Sequence, residues 1–148
     1  MITKEQNYNK SCLFCASDYH LEMILLPYIK EKMKDSKIII FTEDNLESSI
    51  STLLTKVNLS KEDIEKIRNI NWSNDDIFKF KQIEKTESQK NVIIINGSNN
   101  YINNVNKKIK DFFNKDIEIV DCFHIEDQEI DVGEISREYK IILNTQKI

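Results

Sequence analysis

Lys37-Ile38-Ile39-Ile40-Phe41, closed by the polar turn Thr42-Glu43-Asp44-Asn45, is the stretch on which the fold turns. Its apolar, β-branched run has no polar alternation. That predicts a strand buried on both faces, the habit of parallel sheets covered by helices. Asn91-Val92-Ile93-Ile94-Ile95-Asn96 repeats the pattern and ends in Gly97-Ser98-Asn99-Asn100.

Working outward, Cys12-Leu13-Phe14-Cys15-Ala16, the run Ile117 to Phe123, and Tyr139 to Leu143 read as further strands. Helical spacing fills the gaps. Leu21, Ile24, Leu25, Tyr28 and Ile29 follow Ser17 and Asp18, either of which suits an N-cap, and Pro27 inside this helix predicts a kink. Leu46, Ile50, Leu53, Leu54 and Val57 mark a second helix, and Ser60 with Asp63 opens a third through Ile64 and Ile67. Ile102, Val105, Ile109, Phe112 and Phe113 mark another, and a short helix follows the acidic segment Glu126 to Glu134.

Asn69 to Lys90 is weaker: Trp72, Ile77, Phe78 and Phe80 read as apolar anchors of a strand or helical turn, with a loop from Glu84 to Lys90. The alternation predicts an α/β domain of three layers, a doubly wound, mainly parallel sheet of about five strands with flanking helices. Residues 1–10 read as a polar arm and 11–148 as the single domain.

Composition narrows the function classes. The 148 residues are 40% hydrophobic and 31% charged, ordinary globular usage, while two glycines and one proline argue against turn-rich sandwiches and barrels. The net charge is −4 with Lys and Arg spread along the chain, so direct nucleic-acid binding is not expected. Met23 to Pro27, the longest apolar run, is too short for a bilayer, and Met1 to Lys10 has no signal core, so no membrane partner is expected. Three cysteines fit free thiols in a reducing compartment, and a cytoplasmic location is expected.

In open parallel sheets ligands collect at the carboxyl ends of the strands. Those ends nominate Ser17, Asp18 and His20, then Glu43, then Asn96 and Ser98, then Cys122 and His124, with Cys12 inside the first strand. A P-loop needs two glycines and a Lys-Ser/Thr so that bare amides wrap a phosphate, yet Cys15-Ala16-Ser17-Asp18-Tyr19-His20 holds no glycine. No nucleotide or other cofactor is therefore expected.

Cys12-x-x-Cys15 with Cys122-x-His124 has zinc-ligand residue types, but cysteines three apart on a strand point to opposite faces. Buried cysteines acting as small hydrophobes are the preferred reading. His20, Cys122 and His124 together nominate an alternative, a small metal-dependent or acid–base enzyme, although no known catalytic motif surrounds them. The acidic segment lacks the oxygen spacing of a calcium loop and reads as solvated.

Three stretches carry a family likeness. "SCLFCASDYHLEMILLPYIKEKMKDSKIIIFTED", "NVIIINGSNNYINNVNKKIKDFF" and "IEIVDCFHIED" resemble, in order, the MEDS sensory-domain family, with Pro27-Tyr28 at its Pro-aromatic pair. The resemblance implies a P-loop-less relative of the RecA/KaiC-like fold, acting in signal transduction or transcriptional regulation in bacteria. Lys10 and Ser11 stand where that family places a histidine, and Cys15 where a tyrosine is usual. Cys12 and Cys122 are the positions that carry over. The leading expectation is a non-enzymatic sensory or regulatory domain that binds a small molecule or a regulatory protein. A homodimeric interaction module is a further alternative.

Overall fold

The computed structural model describes residues 8–85, 90–112 and 116–144. Residues 1–7 of the polar arm, 86–89 of the expected loop, and Phe113 lie outside them. The elements run β1 (Tyr8–Cys15), α1 (Asp18–Lys32), β2 (Ser36–Thr42), α2 (Glu47–Leu54), α3 (Lys61–Arg68), α4 (Ile77–Lys85) and β3 (Lys90–Gly97). They continue with α5 (Asn99–Ile109), a 3-10 turn (Lys110–Phe112), β4 (Ile117–His124), α6 (Val132–Ser136) and β5 (Ile141–Leu143). β1 begins at Tyr8, ahead of its apolar run, because its parallel pairing with β4 starts at Tyr8 opposite Ile117.

All strand pairs are parallel, in the order β2-β3-β4-β1-β5. The expected three-layer, doubly wound architecture is present. β3 is buried from Asn91 to Gly97 because helices cover both of its faces. Val92 and Ile94 join Leu13, Cys15, Ile40, Val120 and Cys122 under α1, α2 and α3. Ile93 and Ile95 join Cys12, Ile39, Phe41, Ile119 and Phe123 under α4 and α5. Cys12 and Cys15 therefore lie in opposite layers, as strand alternation requires.

Local chemistry sets the helix starts. Ser17, Ser60, Ser98 and Asp131 are N-caps whose side chains accept backbone N–H groups three residues on. α1 runs through Pro27 without interruption, and Leu21, Leu25 and Ile29 on it are fully buried. Each contributes roughly 1.5–3 kcal/mol of hydrophobic free energy. Tyr28 donates to Glu118 on β4, and Lys32 and Lys90 reach the same carboxylate at 3.1 and 3.0 Å. Pro27-Tyr28 thus anchors the far end of α1 to the sheet.

The weak stretch holds a helix, α4, whose phase differs from expectation. Trp72 is buried, its indole N–H donating to the Ile67 carbonyl at 2.8 Å. Phe80 packs on Phe41 at 4.5 Å between ring centres. Ile77 and Phe78 are exposed, whereas Lys79 is buried. Packing of Phe80 and Ile83 fixes the rotation of α4, and the Lys79 ammonium is accommodated by the Ser73 carbonyl beside Asp76. Its burial lowers the Lys79 pKa. At the β5 edge, Ile141 and Ile142 are both exposed.

Candidate functional site

α1 leaves the sheet on one face after β1, and the chain after β4 leaves on the other. The carboxyl ends of these neighbouring strands therefore flank a topological switch point, where parallel sheets open a crevice. A cavity of about 450 Å³ lies there. Ala16, Ser17 and Asp18 line it after β1, Glu43 and Asp44 after β2, Gly97 and Ser98 at the end of β3, and His124, Glu126 and Asp127 at the end of β4.

The first turn after β1 satisfies its own backbone amides. Ser17 is extended (φ −163°, ψ 168°) and its Oγ accepts the His20 N–H at 3.1 Å. His20 Nδ1 accepts the Ala16 N–H at 3.0 Å, and the Ser17 carbonyl accepts the Leu21 N–H at 2.9 Å. These amides are held by the turn's own groups, and Asp18 sits at the positive end of the helix dipole. An anion would meet a carboxylate there.

Across the crevice, Glu43 Oε1 accepts the Ser98 N–H at 2.8 Å, while the Glu43 N–H donates to the Asn96 carbonyl at 2.9 Å. Gly97 permits this closeness. A Cβ at Gly97 would lie 2.6 Å from Tyr101 Cδ2 and 2.9 Å from Glu43 Oε1.

The floor is a chain of hydrogen bonds across four strand ends. Thr42 Oγ1 donates to the Asp44 carbonyl at 2.6 Å and accepts from Asn96 Nδ2 at 3.0 Å. Asn96 Oδ1 therefore faces His124 Nε2, 2.6 Å away. His124 Nδ1 lies 3.5 Å from Cys15 Sγ. Cys15 is fully buried, and desolvation, with the Asp18 charge adding to it, pushes its thiol up to about 12.

Of the residues nominated from sequence, Ser17, Asp18, Glu43, Ser98 and His124 line the cavity. Asn96 is buried beneath it. His20 is engaged with Ala16, while Cys12 and Cys122 are fully buried in opposite layers. Among the described residues no three His, Cys, Asp or Glu side chains converge as a metal site. The sequence presents Cys15 only among the zinc-type cysteines, Asp44 only in the polar turn after the second strand, and Glu126 and Asp127 only as a solvated acidic segment. A signal for the two last was the acidic run directly after β4, whose first residues must pass the carboxyl edge.

On the other face, a second cavity of about 340 Å³ surrounds buried Asp121. Lys10 Nζ lies 3.2 Å from its Oδ2, Tyr139 OH donates to that oxygen at 2.5 Å, and Asn106 Nδ2 donates to Oδ1 at 3.0 Å. This network pins the segment between α6 and β5 to the sheet. No helix among the described residues is long and apolar enough to cross a membrane. The chain matches no protein-family model, no curated protein and no solved structure.

Proposed function

We propose that this chain is a non-enzymatic sensory or regulatory domain whose switch-point crevice takes a small ligand bearing positive charge. The observation that carries this reading is the lining of the cavity. Five acidic residues, Asp18, Glu43, Asp44, Glu126 and Asp127, line it together with His124, and among the described residues no lysine or arginine does. Clefts lined by one sign of charge focus the field and concentrate counter-ions. A primary or secondary amine supplies both the charge and the N–H donors that carboxylates accept.

The strand order supports the RecA-like half of the MEDS resemblance. β4 is inserted between β1 and β3, as in RecA-like sheets, in contrast to the 3-2-1-4-5-6 order of dinucleotide-binding sheets. On this reading the turn that would hold phosphate has exchanged its glycines for a Ser-capped, acid-bearing turn. A ligand seated there touches the ends of four strands and the start of α1. Its binding energy acts by favouring one arrangement of those elements over another.

The test is thermal unfolding at low ionic strength with spermidine, putrescine and adenosine monophosphate as probes. The amines raise Tm and the nucleotide does not, and Asp18→Asn combined with Asp127→Asn abolishes the amine effect. Stabilisation by the nucleotide alone, or by none of the three, overturns the cationic-ligand reading. A substrate turned over by the purified protein, with turnover lost in His20→Ala, overturns the non-enzymatic one.

A further inference from the structure

Cys15, His124 and Asn96 come from the ends of three neighbouring strands, and they stand in the order nucleophile, base, orienter. Sγ lies 3.5 Å from His124 Nδ1, and the far ring nitrogen, Nε2, lies 2.6 Å from Asn96 Oδ1. The polarity of this chain is determined. Thr42 gives its hydroxyl proton to the Asp44 carbonyl and so accepts from Asn96 Nδ2. Asn96 must then offer Oδ1 to the ring, which places a proton on Nε2, so that in the neutral imidazole the Nδ1 lone pair faces a thiol that also reaches the Phe123 carbonyl at 3.6 Å. A thiol, a base within reach and a third group fixing the base form the signature of an activated nucleophile.

We propose that Cys15 is a covalent capture site for small, uncharged conjugated carbonyl compounds, with His124 as its base and Asn96 as a positioning residue. This inference does not rest on the amine reading of the crevice. The choice of electrophile follows from the surroundings. The sulfur is fully buried and reaches the crevice only through its contact with His124, which lines it, so the reagent must be thin and small. The acidic mouth excludes anions.

An oxidant would leave a sulfenic acid with no partner for a disulfide. Cys122 is in register with Leu13, so it lies one strand over and two residues back from Cys15, about 8 Å between Cα atoms and beyond usual disulfide reach. Addition to a conjugated carbonyl needs only what the site holds. His124 Nδ1 takes the Sγ proton as sulfur bonds to the β-carbon, and the C=C π pair moves towards the α-carbon. The proton then passes from Nδ1 to that carbon. The S–H adds across the double bond, nothing is oxidised or reduced, and no group leaves. Because burial holds the thiol protonated at rest, the proton moves only as the S–C bond forms.

The experiment is native-state labelling of the full chain with methyl vinyl ketone, resolving each cysteine by peptide mass spectrometry. Cys15 is expected to react at least tenfold faster than Cys12 and Cys122. His124→Gln and Asn96→Ala should slow Cys15 about tenfold without changing the other two. The three rates provide an internal control, since global unfolding exposes all three thiols alike. Equal rates at the three cysteines, or an unchanged Cys15 rate in folded His124→Gln, overturn the proposal. Should His124→Gln fail to fold, Thr42→Val decides by the same ratio, because it removes the acceptor that orients Asn96.

Discussion

His124 Nε2 and Asn96 Oδ1 are 2.6 Å apart, and this contact joins β4 to β3 at the floor of the crevice. Replacing Asn96 by alanine leaves the half-buried imidazole N–H without its acceptor and the buried Thr42 oxygen without its donor, while Thr42 keeps the Asp44 carbonyl. The expected cost is about 1–3 kcal/mol of stability. A second consequence is spectroscopic. Two-bond proton–nitrogen correlations should show His124 as the Nε2–H tautomer in the parent protein and as a mixture in Asn96→Ala. A mixture already present in the parent would show that Asn96 does not orient the ring.

Gly97→Ala should deform the crevice wall. The added Cβ would meet Tyr101 Cδ2 at 2.6 Å and Glu43 Oε1 at 2.9 Å, and Tyr101 is itself held by Asp76 at 2.6 Å. Glu43 has to move, and the Ser98 N–H at the head of α5 loses its acceptor. A loss of roughly 1–3 kcal/mol is expected by chemical denaturation, together with a weaker amine response. An unchanged denaturation midpoint would mean that Glu43 moves aside freely.

The layers were legible in the sequence because Ile38 to Phe41 and Val92 to Ile95 allow no other burial, and because Ser17, Ser60 and Ser98 punctuate the helices. Most of the crevice was legible too, since strand ends can be counted along the chain. The Cys15–His124 pair was not. Alternation places Cys122 and His124 on one face, but only the pairing of β1 with β4 puts Cys15 opposite His124, and strand order is a non-local property. The rotation of α4 escaped for a similar reason. It depends on Phe80 meeting Phe41, and the apolar character of Ile77 and Phe78 points the other way.

At the amino-terminal end of β4, opposite the crevice, Glu118 is a polar hub. Burial acts to raise its pKa, but hydrogen bonds from Tyr28, Lys90 and Lys32 outweigh burial and lower it. A carboxyl depressed in the folded state stabilises the fold above its unfolded-state value, and that stability is lost as pH falls through the folded value. Glu118→Gln should therefore cost roughly 1–3 kcal/mol at pH 7 and little at pH 2.5. Urea titrations at the two pH values check this, and an equal cost at both would remove the charge from the explanation.

Glu22 gives the reverse sign. It is fully buried on α1, it accepts from Ser49 on α2, and its Oε1 has no partner. Desolvation raises its pKa to about 7, the Ser49 hydrogen bond opposes this, and Asp18, one turn earlier, adds to it. The folded state thus holds a proton that the unfolded chain releases near pH 4.5. Stability attributable to Glu22 is full below that value, falls as pH rises towards 7, and is flat beyond. Glu22→Gln keeps the shape and removes the titration. It should match the parent at pH 4 and exceed it at pH 8 by on the order of 3 kcal/mol. The difference should develop between pH 4.5 and 7, and spermidine, by screening Asp18, should narrow it. A variant weaker than the parent at pH 8 would show that the carboxylate is held by something stronger than Ser49.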